Sequence, residues 1–455
     1  MPYLVRLWFG VREPVGQATY AASGFGLMLL KYAVEALAIW MFAAQWFPPW
    51  QFLNPVLTMR MELLQPGPPW LGWALFVWSL PFLWIAITMS VRRAADAGAS
   101  PWAGMLVLVP LVNLVIMPVM CLMPRGTSGG WSPRTQPARS EDQARSGALA
   151  LGGGLMVGGA MMAVSVYALN SYGAALFVGT PLMMGVVSGY LFNRNLPRSY
   201  AASMGLGLAT MGAAGLALLL FALEGVICVA MALPLVLPLG LLGGIMGKAI
   251  ADASRRPPRE LLALVVLLPV WATAESLLAP RAEHEVLTAV EIDAPPQVVW
   301  EHVIRFPELP PPTEWHFRLG IAAPQRARIE GAGVGAIRYC EFTTGQFVEP
   351  ITVWQPGRRL AFDVTEQPEP MFELSPYRHV HPPHLEGALR SKRGEFRLIA
   401  LSGGRTRLEG RTWYELEMFP SSYWTLWTQV LIGSIHERVL QHVKQLAEED
   451  SAAER

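Results

Sequence analysis

Two stretches of very different composition divide this chain, and the division limits the possible folds more than any single motif does. Residues 1–280 are dominated by long apolar runs, whereas residues 281–455 mix polar and apolar side chains and end in one amphipathic helix. A helix needs about 20 apolar residues to cross the roughly 30 Å hydrocarbon core of a bilayer. The sequence therefore predicts a polytopic α-helical membrane region followed by a soluble domain.

Composition supports this division and excludes several classes of protein. Of 455 residues, 53% are hydrophobic and only 15% are charged, which is typical of a polytopic membrane protein. The 35 Lys and Arg residues nearly balance the 34 Asp and Glu residues, so no basic field exists that would attract a nucleic acid. The three cysteines lie far apart and encode neither a disulfide framework nor a paired-cysteine metal motif. No cofactor is predicted.

Seven segments are long and apolar enough to be membrane spans: 25–46, 70–91, 148–168, 173–192, 200–222, 226–247 and 260–279. An eighth apolar stretch, 101–123, contains Pro110 and Pro118. Proline interrupts the hydrogen bonding of a helix, so this stretch is either a kinked span or a pair of half-helices that re-enters on its own side. The predicted domains are 1–123, a flexible cytoplasmic linker at 124–146, a five-helix membrane domain at 147–280, and the soluble domain at 281–455.

The distribution of basic residues predicts the topology. If 101–123 re-enters, fourteen Arg and Lys residues of the connecting segments share one face, and only Arg60 lies on the other. A true crossing would divide the same residues eleven to four, so the positive-inside bias favours re-entry. In both versions the loops at 193–199 and 248–259 are cytoplasmic and one further span follows. The soluble domain is therefore predicted to be extracytoplasmic.

The first membrane segment carries a motif and a charged pair. The run Arg92-Arg93-Ala94-Ala95-Asp96, continuing to Trp102, resembles a bacterial inner-membrane domain of unknown function that covers about residues 1–130. Its pattern has Leu-His where this chain has Ala94-Ala95, and the resemblance implies a bacterial inner membrane but no reaction. Asp96 is expected to pair with one arginine or to cap the next helix. Lys31 and Glu35 can neutralise each other one helical turn apart, or serve a relay.

The C-terminal half has the periodicity of an α+β domain. Strand patterns occur at 286–294, 325–330, 334–344, 346–355, 358–366, 392–401 and 405–417, with a short helix at 297–303. The final helix, from about Ser421 to Glu448, has one apolar stripe that comprises Trp424, Trp427, Leu431, Ile435, Val439, Val443 and Leu446. This order of elements is typical of a sheet that packs against one long helix.

The opening segment of this half, Val290 to Trp300, resembles the START-like or SRPBCC superfamily, which includes polyketide cyclases; the resemblance spans about 286–447. It implies a helix-grip fold, in which a curved antiparallel sheet surrounds the long C-terminal helix and leaves an apolar cavity. The superfamily includes lipid carriers, sensors, cyclases and hydrolases, so the fold alone does not name a reaction.

Strand alternation suggests which residues would bind a ligand. In 405–417 the pattern separates Thr412, Tyr414 and Leu416 from the charged residues of the other face. Together with Trp424, Trp427 and Leu431 of the final helix, these residues are the predicted lining of the cavity. The faces of 334–344 remain open, because both contain polar and apolar side chains.

Candidates for chemistry are few. His436, Tyr414 and Glu314 could supply an acid or a base, although a histidine beside a buried stripe is more often a satisfied core residue. The proline-rich segment 367–391 carries His379, His381 and His384, which could hold zinc. Pro382-Pro383 would keep these imidazoles apart, however, so a lid or a solvated loop is favoured over a metal site.

These features predict a bacterial inner-membrane protein whose tethered START-like domain binds a hydrophobic or amphipathic molecule such as a lipid. Its predicted partners are membrane lipids and a hydrophobic small molecule, with no nucleic acid and no assigned protein partner. Two alternatives stay open. The domain could be an enzyme of polyketide cyclase or hydrolase type, or the protein could be a membrane scaffold or sensor without catalysis.

Overall fold

The computed structural model describes residues 3–10, 13–53, 64, 66–68, 70–99, 103–104, 107, 112–126, 140–253, 259–278, 282–375, 380 and 382–453. The chain divides into two compact units. The first comprises Met1–Val164, Val178–Ala214 and Leu235–Ala274, and the second comprises Ser165–Phe177, Gly215–Pro234 and Glu275–Arg455. Three sequence segments therefore build the second unit, of which 275–455 is the largest.

Ten α-helices occupy the described part of the first 280 residues: α1 Tyr3–Phe9, α2 Gln17–Ala43, α3 Pro49–Leu53, α4 Trp70–Asp96, α5 Val112–Leu122, α6 Ser140–Met162, α7 Thr180–Asn193, α8 Tyr200–Leu220, α9 Val226–Ala253 and α10 Arg259–Leu278. The π-helical turns Ala163–Ala168 and Ala175–Gly179 extend α6 and precede α7. Within the described residues, six helical stretches are long and apolar enough to cross a membrane: Gln17–Ala43, Trp70–Asp96, Ser146–Ala168, Ala175–Asn193, Tyr200–Leu220 and Val226–Ala253. The seventh predicted span lies in α10, whose apolar part, Ala263–Leu277, is shorter.

Two predicted features fall partly outside the described residues. Of the stretch 101–123, only residues 103, 104, 107 and 112–123 are described, so the choice between a span and re-entry stays a prediction. Of the predicted linker 124–146, residues 127–139 lie outside the described part, and α6 already begins at Ser140. The last residues of that predicted linker are therefore helical.

Several charged groups in the described part of the first unit are paired. Arg93 is buried and donates hydrogen bonds to the carbonyl oxygen of Met120 at 3.1 Å and to Asp96 Oδ2 at 2.8 Å. Arg125 binds the other carboxylate oxygen of Asp96 at 2.9 Å. Lys31 and Glu35 form an ion pair along α2. Because each charge has a partner, the cost of burying it falls, which favours a structural role for these groups.

A seven-stranded antiparallel sheet forms the centre of the second unit, with strand order β1-β7-β6-β5-β4-β3-β2. The strands are β1 Glu283–Ile292, β2 Pro324–Glu330, β3 Ile337–Phe342, β4 Gly345–Gln355, β5 Arg359–Asp363, β6 Leu389–Ala400 and β7 Thr406–Leu416. Two short helices, α11 Pro296–Ile304 and α12 Trp315–Arg318, precede β2, and α13 Ser421–Ala453 ends the chain. The predicted helix-grip domain, a sheet with a long C-terminal helix, is confirmed.

The two halves of α13 belong to different apolar clusters. Its C-terminal half packs Val439, Leu440, Val443 and Ala447 into the main core beside sheet residues such as Leu408. Its N-terminal half contributes Leu431 and Ile435 to a second apolar cluster, which also contains Phe317, Ile321, Ala323, Met371, Leu385, Ile227 and Cys228. The apolar stripe of this helix is therefore shared between two sets of neighbours.

Candidate functional site

The inner face of β1 and β7 presents polar side chains to α13. The antiparallel register pairs His284 with Tyr414 and Val286 with Thr412. Since side chains alternate along a strand, the even-numbered residues of both strands share this face. On the other face Glu409 forms ion pairs with Arg407 at 3.0 Å and with Arg411 at 3.2 Å. The register thus separates an inner set of neutral polar groups from an outer set of charges.

His436 of α13 is held between two hydroxyl groups of the sheet. Its Nε2 lies 2.8 Å from Thr412 Oγ1, and its Nδ1 lies 3.3 Å from Thr288 Oγ1. Burial lowers the pKa of His436 to about 4. The imidazole is therefore neutral near pH 7, so one ring nitrogen donates a hydrogen bond and the other accepts one.

Tyr414 and Thr428 form a second polar pair on the same face. The Tyr414 ring is fully buried, and its hydroxyl lies 2.7 Å from Thr428 Oγ1. Burial raises the pKa of Tyr414, so the phenol keeps its proton. The ring of His284 lies 5.5 Å from that of Tyr414, and burial lowers the pKa of His284. Its buried Nε2 has no hydrogen-bond partner among the described residues.

We call this set the polar layer: His284, Thr288, Thr412, Tyr414, Thr428 and His436. Three members, His284, Thr288 and Thr428, were missed by sequence reasoning. The alternation of β1 could have revealed the first two, because they share its phase with the buried residues Val286 and Ile292. An imidazole that has one unpaired nitrogen beside several hydroxyl groups can accept or donate a hydrogen bond to a polar ligand group.

The aromatic residues predicted to line the cavity lie in different surroundings. Trp424 is buried, donates its indole N–H to the Phe419 carbonyl oxygen at 3.1 Å, and has its ring centroid 5.0 Å from that of Phe177. Trp427 is half-buried, whereas Leu431 packs in the second apolar cluster. Leu416 is buried at the end of β7. Trp424 therefore packs against the segment 165–177 of its own unit, and Leu431 lies nearer the polar layer along α13.

Glu314 lies apart from the other two catalytic candidates. It precedes the short helix α12, where its Oε2 accepts a hydrogen bond from the backbone N–H of Thr313 at 3.0 Å and lies 3.6 Å from Arg438 Nη1. These described contacts connect Glu314 to the surface of α13. They do not bring it to His436 or Tyr414, so the structure assembles only two of the three candidates.

The histidines of segment 367–391 are described in part. His379 and His381 lie outside the described residues, so the predicted three-histidine arrangement is not described. His384 lies in a one-turn 3-10 helix, Pro383–Glu386, and its Nε2 is 2.9 Å from Cys228 Sγ. The partner of His384 thus comes from a distant part of the sequence, at the start of α9.

The structure decides the open question about segment 334–344. Arg338 and Cys340 are buried on the inner side of β3, and Arg338 forms an ion pair with the buried Glu349 of β4. The guanidinium also lies over the rings of Phe362 at 5.0 Å and Phe396 at 5.5 Å. Cation–π contact and charge pairing together offset part of the desolvation of this arginine.

A groove of about 1100 Å³ crosses the outer face of β4 to β7. Its lining includes Arg359, Arg393, Arg397, Glu395 and Trp413. Arg359 is bound by Glu395 at 2.6 Å, and Arg393 lies 4.6 Å from the Trp413 ring. This surface is strongly polar, so an apolar ligand fits the opposite face of the sheet better.

Comparison with known families agrees with both resemblances. Residues 23–131 match the family described as "Protein of unknown function (DUF805)". Residues 283–418 match the family described as "Polyketide cyclase / dehydrase and lipid transport". Both predicted resemblances are confirmed. The two matches lie in different parts of the chain, and no curated protein sequence matches it.

Solved structures similar to this chain cover the C-terminal part. A norcoclaurine synthase mutant from Thalictrum flavum is 11% identical, with 38% of this chain and 98% of that chain covered and a TM-score of 0.26. A protein from Nitrosospira multiformis is 17% identical, with 38% and 100% covered and a TM-score of 0.24. The Zhui aromatase/cyclase from Streptomyces sp. R1128 is 13% identical, with 38% and 94% covered and a TM-score of 0.23.

Proposed function

We propose that this protein binds a membrane lipid or a similar amphipathic molecule between the sheet and the N-terminal half of α13, and that its multi-pass region keeps the binding domain at the bilayer. The family description of residues 283–418, which includes lipid transport, supports a hydrophobic ligand. The observation that carries the proposal is the polar layer, whose α13 members, Thr428 and His436, flank Leu431 and Ile435 of the second apolar cluster along the helix.

The polar and apolar side chains of this region match the two parts of an amphipathic ligand. The unpaired Nε2 of His284 and the hydroxyl groups of Thr288 and Thr412 can hydrogen-bond to a polar headgroup. Leu431 and Ile435 belong to the adjacent second apolar cluster and would contact the hydrocarbon part. Ligand sites are typically lined by apolar side chains with a few polar groups that set the orientation, and the polar layer has that composition.

Exposed apolar side chains surround the second apolar cluster and suggest a route for a lipid. They lie on α12, in the segment after Met371 and on α13, and comprise Trp315, Leu319, Phe372, Leu374, Leu426 and Val430. The Gly320 carbonyl accepts the Phe372 N–H at 2.8 Å, and the Leu374 carbonyl accepts the Val226 N–H at 2.9 Å. An exposed apolar surface that continues to the start of a membrane helix is suited to contact with lipid.

The proposed location is a bacterial inner membrane with the C-terminal domain outside the cytoplasm. The excess of Arg and Lys on one set of loops supports this orientation. The segments that make up the second unit agree with this orientation. Two of them, 165–177 and 215–234, contain the loops that the charge pattern also assigns to the outer face.

Native mass spectrometry of the full chain, released from detergent micelles, tests the proposal. We expect adducts with masses of individual phospholipids or other apolar molecules, and we expect Thr412→Val combined with His284→Leu to reduce their abundance several-fold. Arg326→Gln on the outer face is the matched control and should leave the adducts unchanged. Chemical conversion of the bound molecule would favour the enzyme, and adducts that respond equally to all variants would favour a scaffold with annular lipid.

A further inference from the structure

Side chains with metal-binding atoms converge where the start of α9 meets the turn Pro383–Glu386, within the second unit. Cys228 Sγ lies 2.9 Å from His384 Nε2, and His384 Nδ1 lies 3.6 Å from Glu224 Oε2. One ligand atom from each of these three residues lies within 4.8 Å of the other two. Glu373 is adjacent, with its carboxylate in hydrogen-bonding reach of the Cys228 thiol.

Polar atoms in this cluster are buried without hydrogen bonds. Glu224 is only 8% exposed, and its Oε2 has no hydrogen-bond partner in the described part of the chain. His384 Nδ1 and Glu373 Oε1 are also buried and have no hydrogen-bond partner among the described residues. Leaving a buried polar group unpaired destabilises the folded state, and the effect is larger for a charged group. Two of these atoms belong to Glu224 and His384, whose side chains converge with Cys228, and this indicates that a ligand belongs among them.

The backbone fixes the positions of these side chains. Cys228 lies in the first turn of α9, and Glu224 lies in the bend just before that helix, so both side chains come from the same end of α9. Glu373 Oε2 accepts the N–H of Ile227 at 3.3 Å, which satisfies one of the free donors of the first turn of α9. Its other oxygen, Oε1, stays available. The ring of Tyr172 packs edge-on against His384, with 5.5 Å between ring centroids.

We propose that Glu224, Cys228, His384 and Glu373 bind one zinc ion. Thiolate, imidazole and carboxylate are the ligand types that zinc accepts, and four protein ligands are typical of a structural site. Magnesium and calcium prefer oxygen ligands alone, so the thiol selects against them. Two carboxylates and a thiolate in a buried site repel one another, and a divalent cation converts that repulsion into attraction.

The order thiol, imidazole, carboxylate also occurs in nucleophilic triads. In this cluster, however, a second carboxylate, Glu373, lies beside the thiol. A triad does not need this fourth side chain, whereas a zinc site with four protein ligands does, and so the geometry points to coordination. The zinc would join the start of α9 to the segment between β5 and β6.

Elemental analysis of the full chain, purified in detergent after growth with zinc and gel filtration without chelator, tests the site. We expect about one zinc per chain, and less than a fifth of that in Cys228→Ser, His384→Gln and Glu224→Gln. The matched controls are Cys121→Ser in α5 and His302→Gln in α11, which should retain the metal of the native chain. Glu224→Gln preserves size, so it serves as the test if a shorter side chain prevents folding.

Cobalt substitution gives a second readout. A Co²⁺-loaded chain should show a thiolate-to-metal charge-transfer absorption that Cys228→Ser removes and Cys121→Ser preserves. Zinc that is absent, or retained equally in all five variants, overturns the proposal. Rapid alkylation of Cys228 at the same rate with and without a chelator would overturn it as well, and would assign the three residues to nucleophilic chemistry.

Discussion

The Phe177 and Trp424 rings pack against each other with their centroids 5.0 Å apart. Nearby, the Phe419 N–H donates a hydrogen bond to the Tyr172 carbonyl oxygen at 2.9 Å, and the Tyr423 hydroxyl binds the Met231 carbonyl oxygen. The first turns of α13 therefore rest on two segments that precede the soluble domain in sequence. The C-terminal half of the same helix packs in the main core, whose described members all lie within residues 290–447.

This division predicts how an isolated 284–455 fragment behaves. Its main core is complete, so we expect a cooperative melt and mixed α/β circular dichroism. The start of α13 loses its neighbours, so amides of residues 421–431 should exchange with solvent at least tenfold faster than in the full chain, while amides of 439–447 should not change. Uniform fast exchange throughout α13 would contradict this division. Hydrogen exchange with mass spectrometry makes the comparison.

The hydroxyl contacts of His436 predict a pH dependence of stability. Burial lowers the pKa of this imidazole from 6.5 to about 4, so between these values the unfolded chain binds a proton that the folded chain does not. The free energy of unfolding should therefore fall as the pH falls through this window, by roughly 3 kcal/mol for the whole shift, and His436→Gln should remove that part of the slope. Melting temperatures from pH 4 to 8 provide the measurement. A slope that survives the substitution would belong to another group, such as His284.

At the buried pair Arg338 and Glu349, a single substitution should destabilise the protein more than the double substitution does. Arg338→Met leaves Glu349 unpaired in the core and should cost about 3 to 5 kcal/mol of stability. The double variant Arg338→Met, Glu349→Met should regain most of that loss, because no uncompensated charge remains. The exposed pair Arg326 and Glu341 is the control, for which a single substitution should cost about 1 kcal/mol or less. Additive single and double effects at Arg338 and Glu349 would disprove the coupling.

Periodicity was enough to predict the order of the elements and the inner face of β7. Apolar runs of membrane length and strands of period two are local signals, so the long apolar helices and the order of strands before the final helix were predictable from the sequence. The helix-grip arrangement was predicted from the family resemblance. The contacts of His384 were not predictable, because Cys228 lies 156 positions away and local spacing carries no information about such a meeting. The two halves of α13 were missed for a similar reason, since one apolar stripe does not reveal that it has two different partners.

The loop charges predict opposite results for two reporter fusions. A reporter that is active only outside the cytoplasm should be active when fused after Arg455 and silent when fused near Arg139. An active fusion near Arg139 with a silent one at the C-terminus would reverse the orientation. It would leave intact the prediction that 165–177, 215–234 and the C-terminal domain share one side of the membrane. Five predicted spans lie between 124–146 and the C-terminal domain, and an odd number of crossings places these two parts on opposite sides. Activity at both sites would therefore contradict that number.

Substitutions at two leucines of α13 should distinguish an effect on ligand binding from an effect on stability. Leu431 belongs to the second apolar cluster, whereas Leu440 is 1% exposed in the main core. Leu440→Ala should lower the free energy of unfolding by about 2 to 5 kcal/mol and leave lipid affinity unchanged in the molecules that remain folded. Leu431→Ala should weaken lipid binding, and Leu431→Arg should abolish it, because the charge would be placed against the hydrocarbon part of the ligand.

The shift of the melting temperature on addition of lipid measures this difference, since a ligand that binds only the folded state stabilises it by mass action. The native chain and Leu440→Ala should show the same lipid-induced shift from different starting temperatures. Leu431→Arg should show none, with the tryptophan emission also unresponsive to lipid. If Leu431→Arg keeps the full shift while Leu440→Ala loses it, the ligand lies in the main core and not beside the N-terminal half of α13.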